Sequence, residues 1–240
     1  MTPGKKKRAH ARRRSGPQPA VRKRRAAAGI PLQREHIVST ALALVDREGL
    51  KALSMRRLGE ELGVDPMAVY YYLPNKQALL DAIVEAVMGS IELSVDDPAR
   101  PPEERLLGAA HAYRDALLAH ASALPILLAH GPVTPVAMRP VELLIGILRD
   151  AGLPPAEALA GMNVIAGAVR GAVGMEPVHK SSSEPTKEDF EAMWRALPAN
   201  EFPRLAEAFG STGLSFEQIF DFGIRALTRG LLGEAESRKH

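Results

Sequence analysis

The chain has 240 residues, 46% of them hydrophobic and 25% charged, enough apolar material for one large or two small packed domains. Cysteine is absent, which excludes disulfides, thiolate nucleophiles and thiolate metal sites. The net charge of +3 hides a division: residues 1–30 carry 11 Lys and Arg and no acid, so the other 20 face 28 Asp and Glu, a net of −8.

Residues 1–30 are too charged, and too rich in Ala, Pro and Gly, to build a core, and read as a disordered tail. Such a cationic arm either adds phosphate contacts beside a nucleic-acid-binding domain or is a solvated tail. No apolar run approaches the roughly 20 residues of a membrane span, and the basic start lacks the apolar core of a signal peptide. A soluble cytoplasmic protein with no membrane partner is expected.

From Pro31 to Gly49, the apolar residues Ile37, Ala41, Leu44 and Val45 have helical spacing. Ser54 to Lys76 then reads as two short helices joined by a tight turn. Ser54 is a good N-cap, Met55, Leu58 and Leu62 form one stripe, and Gly63 is suited to the left-handed stop. Asp65-Pro66 restarts the chain as cap and first helical residue, and Pro74-Asn75 stops it. Helix, three-residue turn, helix is the arrangement that lays a second helix in a DNA major groove; a plain helical hairpin is its bland alternative. A fourth helix follows from Lys76 to about Ile91, and the proline-rich 96–102 marks a domain boundary.

The remainder is also helical in pattern: 103–121, a short helix after Pro125, and 136–151 with its regular part beginning near Pro140. Then come 154–173, dense in Ala and Gly, a polar loop over 176–187, short helices between Phe190 and Phe209, and a final helix over 215–232. Small residues at helical spacing let another backbone come close. The predicted fold class is all-α: an N-terminal three-helix helix-turn-helix head over 31–91 and a larger helical body over 103–235 for ligand binding and dimerisation.

With these helices in place, the chain resembles the tetracycline-repressor (TetR-type) family of bacterial transcriptional regulators. The carrying residues are Ile37-Val-Ser-Thr-Ala-Leu, Glu48-Gly-Leu-Lys-Ala-Leu-Ser-Met-Arg-Arg-Leu, Leu62-Gly-Val-Asp-Pro and Val69-Tyr-Tyr-Tyr-Leu-Pro-Asn-Lys-Gln-Ala-Leu-Leu-Asp. More loosely, Ala116-Leu-Leu-Ala-His, Gly152-Leu-Pro-Pro-Ala-Glu-Ala-Leu and Phe222-Gly-Ile-Arg-Ala-Leu look like the family's regulatory body. The resemblance implies a homodimer, double-stranded operator DNA as partner, and a small-molecule pocket.

Carried over by position, the DNA-binding candidates are Ser54, Arg56, Pro66, Met67, Ala68, Tyr70, Tyr72 and Lys76, while Tyr71 matches an apolar core position. Arg56 can grip guanine or clamp a phosphate, and Lys76 and the tyrosine hydroxyls suit phosphate oxygens. The pocket candidates are Glu92, Ala109, Tyr113, Leu127, His130, Met162, Met175, Glu176 and Trp194, each of which has core or surface packing as its alternative. Leu127, Ala109 and Glu92 stand where the tetracycline repressor has its metal-binding histidine, a drug-gripping asparagine and a second histidine. This argues against a magnesium–tetracycline ligand, which needs oxygen and imidazole donors, and for a mostly apolar organic effector. His111, His120, His130 and His179 do not form a metal-ligand spacing, the nearest pairs lying nine or ten residues apart, and no catalytic motif stands out. No metal, cofactor or enzymatic activity is expected. The reading is a repressor released from its operator by a small effector, with an activator or co-repressor-dependent regulator as the alternative and a helical enzyme or carrier as the remote one.

Overall fold

The computed structural model describes residues 32–94, 96–176, 192–193, 196–210 and 214–237; the basic tail 1–30, most of the stretch 176–187 and Trp194 lie outside them. Among the described residues the regular elements are α-helices and two short 3-10 turns, with no strand.

Helix α1 (Arg34–Glu48) buries Ile37, Ala41, Leu44 and Val45 and stops at Gly49, whose φ of 79° suits glycine. A 3-10 turn (Leu50–Ala52) leads to α2 (Met55–Leu62), α3 (Pro66–Tyr72) and α4 (Lys76–Gly89). Three side chains cap these helices as their types demand: Ser54 accepts from the Arg57 N–H, Asp65 from Met67 and Asn75 from Ala78. Leu53, Leu58, Leu62 and Val69 close the core between them. Each such buried aliphatic side chain contributes roughly 1.5–3 kcal/mol.

The body comprises α5 (Pro102–Ala119), α6 (Leu124–Ala129), α7 (Pro135–Asp150), α8 (Pro155–Met175), α9 (Pro203–Gly210) and α10 (Phe216–Ser237). Helix α7 packs on α4 and α8, and α10 on α5 and α8. Two boundaries depart from expectation. Helix α7 begins one turn before Pro140: Thr134 accepts from the Ala137 N–H and its carbonyl from Met138, so the first turn closes before the proline is reached. Helix α10 runs on to Ser237 rather than ending near Leu232.

A third correction concerns α8. At 21 residues it is long and apolar enough, by length and composition, to cross a membrane. Here it packs against α5, α7 and α10, burying Met162, Ile165, Val169 and Val173. About a third of its apolar stretch is buried by this packing, and the rest faces outward.

Helix α4 belongs to both halves, touching α1 on one side and α5, α6 and α7 on the other. Two further ties join head and body: His120 Nδ1 lies 2.8 Å from Asp46 Oδ2 on α1, and His130 Nδ1 lies 2.8 Å from the Gln77 amide on α4. In the linker, Arg105 grips Asp96 through two bonds (2.7 and 3.0 Å) and reaches Asp150 (3.2 Å). Those carboxylates hold its guanidinium protonated well beyond the ordinary arginine range and anchor the linker to α5 and α7.

Candidate DNA-binding face and effector cavity

The turn between α2 and α3 is set by backbone geometry. Gly63 adopts the left-handed conformation, and its N–H and that of Val64 donate to Glu60 and Gly59 carbonyls, closing the end of α2. Gly59 lets α3 approach: a Cβ there would stand 3.1 Å from the Val64 carbonyl oxygen and 3.2 Å from Pro66. This glycine carries no turn signal in the sequence, since it lies inside the helical stripe.

Val69 and Leu73, one turn apart, anchor α3 in the core. The opposite side therefore faces outward. Met67 and Tyr71 are 71% and 84% exposed, with Tyr70 and Tyr72 partly so. The expectation that Tyr71 is a core residue is thus overturned: Val69 fills that role, and a residue two positions later points away from it. Tyr72 is also reassigned in part, because its hydroxyl donates to the Leu32 carbonyl (2.7 Å) and ties α3 to the start of α1. Ala68 is half-buried against the core, as Pro66 is against its neighbours. Ser54 is used as a cap. Arg56 is free of the core, 85% exposed and loosely paired with Glu60 at 3.5 Å, and Lys76 is exposed at the first position of α4. Arg56, Met67, Tyr70, Tyr71 and Lys76 are all exposed, as are the neighbouring Glu60, Asp65, Asn75 and Gln77.

In the body, a cavity of about 280 Å³ opens between α4, α5, α6, α7 and α8. Val84 and Met88 of α4, Tyr113 of α5, Leu144 of α7 and Met162 of α8 make its wall mostly apolar. Of the pocket candidates, Glu92, Ala109, Tyr113, Leu127, His130 and Met162 line it together. Burial pushes the Tyr113 phenol above its usual value of 10.0, with Arg170 beside it pulling the other way. Glu92 is exposed at the edge, where its carboxylate accepts from the Ser94 N–H and is held below the ordinary range. Met175 and Glu176 are brought elsewhere: Met175 is exposed, and Glu176 accepts from Arg114 at 2.7 and 2.8 Å beside a second, smaller cavity. Arg114 is buried, so a carboxylate near it is drawn into that pair and away from the main cavity. Among the described residues no group of His, Cys, Asp and Glu could hold a metal ion.

The family model for bacterial regulatory proteins of the tetR family matches residues 37–83, and the tetracyclin repressor-like C-terminal domain matches residues 97–234. The chain belongs to the TetR family. It is a DNA-binding transcriptional repressor of the ligand-responsive type. Apo ActR from Streptomyces coelicolor superposes with a TM-score of 0.76 at 30% identity, covering 87% of this chain and 99% of that one. ActR in complex with actinorhodin superposes at 0.74 and 29% identity, over 86% of this chain and 99% of ActR. The class C tetracycline repressor of Escherichia coli is 34% identical over 160 residues, 66% of this chain and 72% of the relative. In this TetR-family chain, the N-terminal match covers α2 and α3 with Arg56 and the tyrosines, while the C-terminal match contains most of the cavity wall.

Proposed function

We propose that this repressor acts as a cytoplasmic homodimer whose two α3 helices enter successive major grooves of an operator, and that a small, mostly apolar organic molecule in the main cavity releases it. One observation carries the reading. Val84 and Met88 on the cavity wall belong to α4, which starts four residues after the recognition helix ends. A ligand that favours a different seating of α4 must change where α3 points. Each ~1.4 kcal/mol of preference for that seating shifts the balance tenfold.

The DNA contacts proposed are Arg56, Met67, Tyr70, Tyr71 and Lys76. Arg56 supplies a two-pronged donor for guanine or phosphate, Lys76 a point charge for phosphate, and Met67 and the tyrosine rings apolar contact with bases and sugars. A helix with so few base-edge donors relies in part on DNA shape.

Dimerisation is proposed through α8 and α10. Ala160, Val164, Gly167, Ala168 and Gly171 form an exposed stripe on α8, and Ile219, Phe222, Gly223, Ala226 and Gly230 form another on α10. A Cβ at Gly167, Gly171, Gly223 or Gly230 would meet nothing within 4 Å, so packing within the chain does not call for glycine there. Close approach of the same helices from a second copy does. The two-fold axis would set the recognition helices roughly 34–36 Å apart.

A mobility-shift titration tests the reading, using the full-length protein and duplex DNA flanking its own gene, with a panel of hydrophobic organic compounds. Retarded DNA released by a cavity-binding compound supports it. Retardation unaffected by every compound that binds the cavity would leave a constitutive DNA-binding protein instead.

A further inference from the structure

Two arginines of the body are buried, and each holds a carboxylate. Arg105 is paired with Asp96 and Arg114 with Glu176. Arg170 breaks the pattern. It is half-buried on α8, lines the main cavity, and its Nε donates to the Ala166 carbonyl of its own helix at 3.1 Å. Among the described residues no carboxylate lies within ion-pair distance of it. Glu92, the carboxylate on the cavity wall, is exposed and already accepts from Ser94 at 2.9 Å.

A guanidinium does not deprotonate in a protein, so Arg170 carries its charge into a wall that is otherwise mostly aliphatic. An uncompensated cation in such surroundings is costly, and the cost is removed when an anion arrives with the ligand. The planar fork of arginine matches a carboxylate through two parallel bonds. The phenol of Tyr113, buried beside Arg170, offers a further donor.

We propose that the cavity selects an organic carboxylate: a largely apolar, ring-bearing acid whose body lies against Val84, Met88, Leu144 and Met162 and whose carboxylate is received by Arg170, with Tyr113 as a second donor. This rests on the effector reading above and adds a chemical class to it. A neutral analogue of the same shape fills the apolar part and leaves the guanidinium unpaired, so the site discriminates against it.

The test compares anthracene-2-carboxylate with anthracene-2-carboxamide, which share size and shape and differ in charge. Binding of each to the full-length protein is followed by ligand fluorescence at neutral pH. The carboxylate is expected to bind roughly tenfold or more tightly than the amide, the scale of a charge-assisted hydrogen bond. In Arg170→Gln the preference should vanish while amide binding persists, and in Arg170→Lys part of it should return. The lysine variant also keeps the test sound if the glutamine variant proves poorly folded by thermal melting. Equal binding of the two probes to the wild-type protein would overturn the carboxylate selectivity while leaving an apolar effector site in place. A preference that survives in both variants, or failure of the carboxylate to bind, would overturn it too. The release reading is judged separately, by whether compounds that do bind displace operator DNA.

Discussion

His130 and Gln77 meet at 2.8 Å, joining the wall of the effector cavity to the first turn of α4. Gln77 in turn donates to Asp81 at 2.7 Å, and the Asp81 carboxylate stands 3.9 Å from the imidazole. A ligand that moves His130 therefore acts on the helix that follows the recognition helix. Replacing Gln77 with Ala should leave cavity ligands bound as tightly as before, yet reduce the factor by which they weaken DNA binding. A loss of about 0.5–2 kcal/mol of coupling is the scale for a residue lying between two sites. Parallel titrations of DNA binding with and without a ligand would measure it.

The outward face of α3 gives a second expectation. Arg56→Ala should weaken operator binding by about 1–3 kcal/mol, the scale of a good two-pronged base contact. Tyr71→Ala should also weaken it while leaving the melting temperature nearly unchanged, since the ring is 84% exposed and supports no core. Fluorescence anisotropy on labelled duplex, with thermal melts alongside, separates these effects. A Tyr71 variant with normal DNA binding and a lowered melting temperature would restore the tyrosine to a packing role.

Gly223 tests the association surface without disturbing the fold of one chain. A Cβ there meets nothing within 4 Å, so a longer side chain can leave the helix outward and Gly223→Arg should leave helicity intact. Across a close helix–helix contact it places bulk and charge where neither fits. Light scattering should report a monomer, and operator binding should fall with it because both half-sites can no longer be held together.

Tyr113 should be visible in an alkaline titration. Its folded-state pKa is raised above 10.0 by burial, although Arg170 opposes the shift. Absorbance at the phenolate band should show one tyrosine ionising late, and Tyr113→Phe should remove that phase. The sign for stability follows: the contribution is complete below the unfolded value near 10 and is lost as pH rises through the raised folded-state value. A cavity ligand that covers the phenol should delay the phase further.

Much of this was legible in the residues. The caps Ser54, Asp65 and Asn75 and the left-handed stop at Gly63 act through their own side chain or backbone, so local rules located α2, α3 and the start of α4. Six of the pocket candidates, from Glu92 to Met162, come together in one cavity: the family resemblance pointed to Glu92, Ala109, Leu127 and His130, and Tyr113 and Met162 were apolar residues at helical spacing. What local rules missed depends on partners distant in sequence. The hydroxyl of Tyr72 finds a carbonyl forty residues earlier, and Glu176 is captured by Arg114 across 62 positions. Tyr71 was within reach of the sequence, since two residues beyond the inward Val69 a helix turns its side chain to the far side. Arg170 was not, because an arginine that has no carboxylate partner among the described residues is recognised only when its surroundings are seen.

A filled cavity and a gripped operator exclude one another in the proposed release, and linkage makes that exclusion a number. Calorimetry would give the affinity of a releasing ligand for the free protein and for the protein saturated with operator DNA. The two affinities should differ by the same factor, roughly tenfold or more, as the operator's affinity for the free and the ligand-saturated protein. Equal ligand affinity in the presence and absence of DNA would contradict the account, because a cavity indifferent to the operator cannot release it.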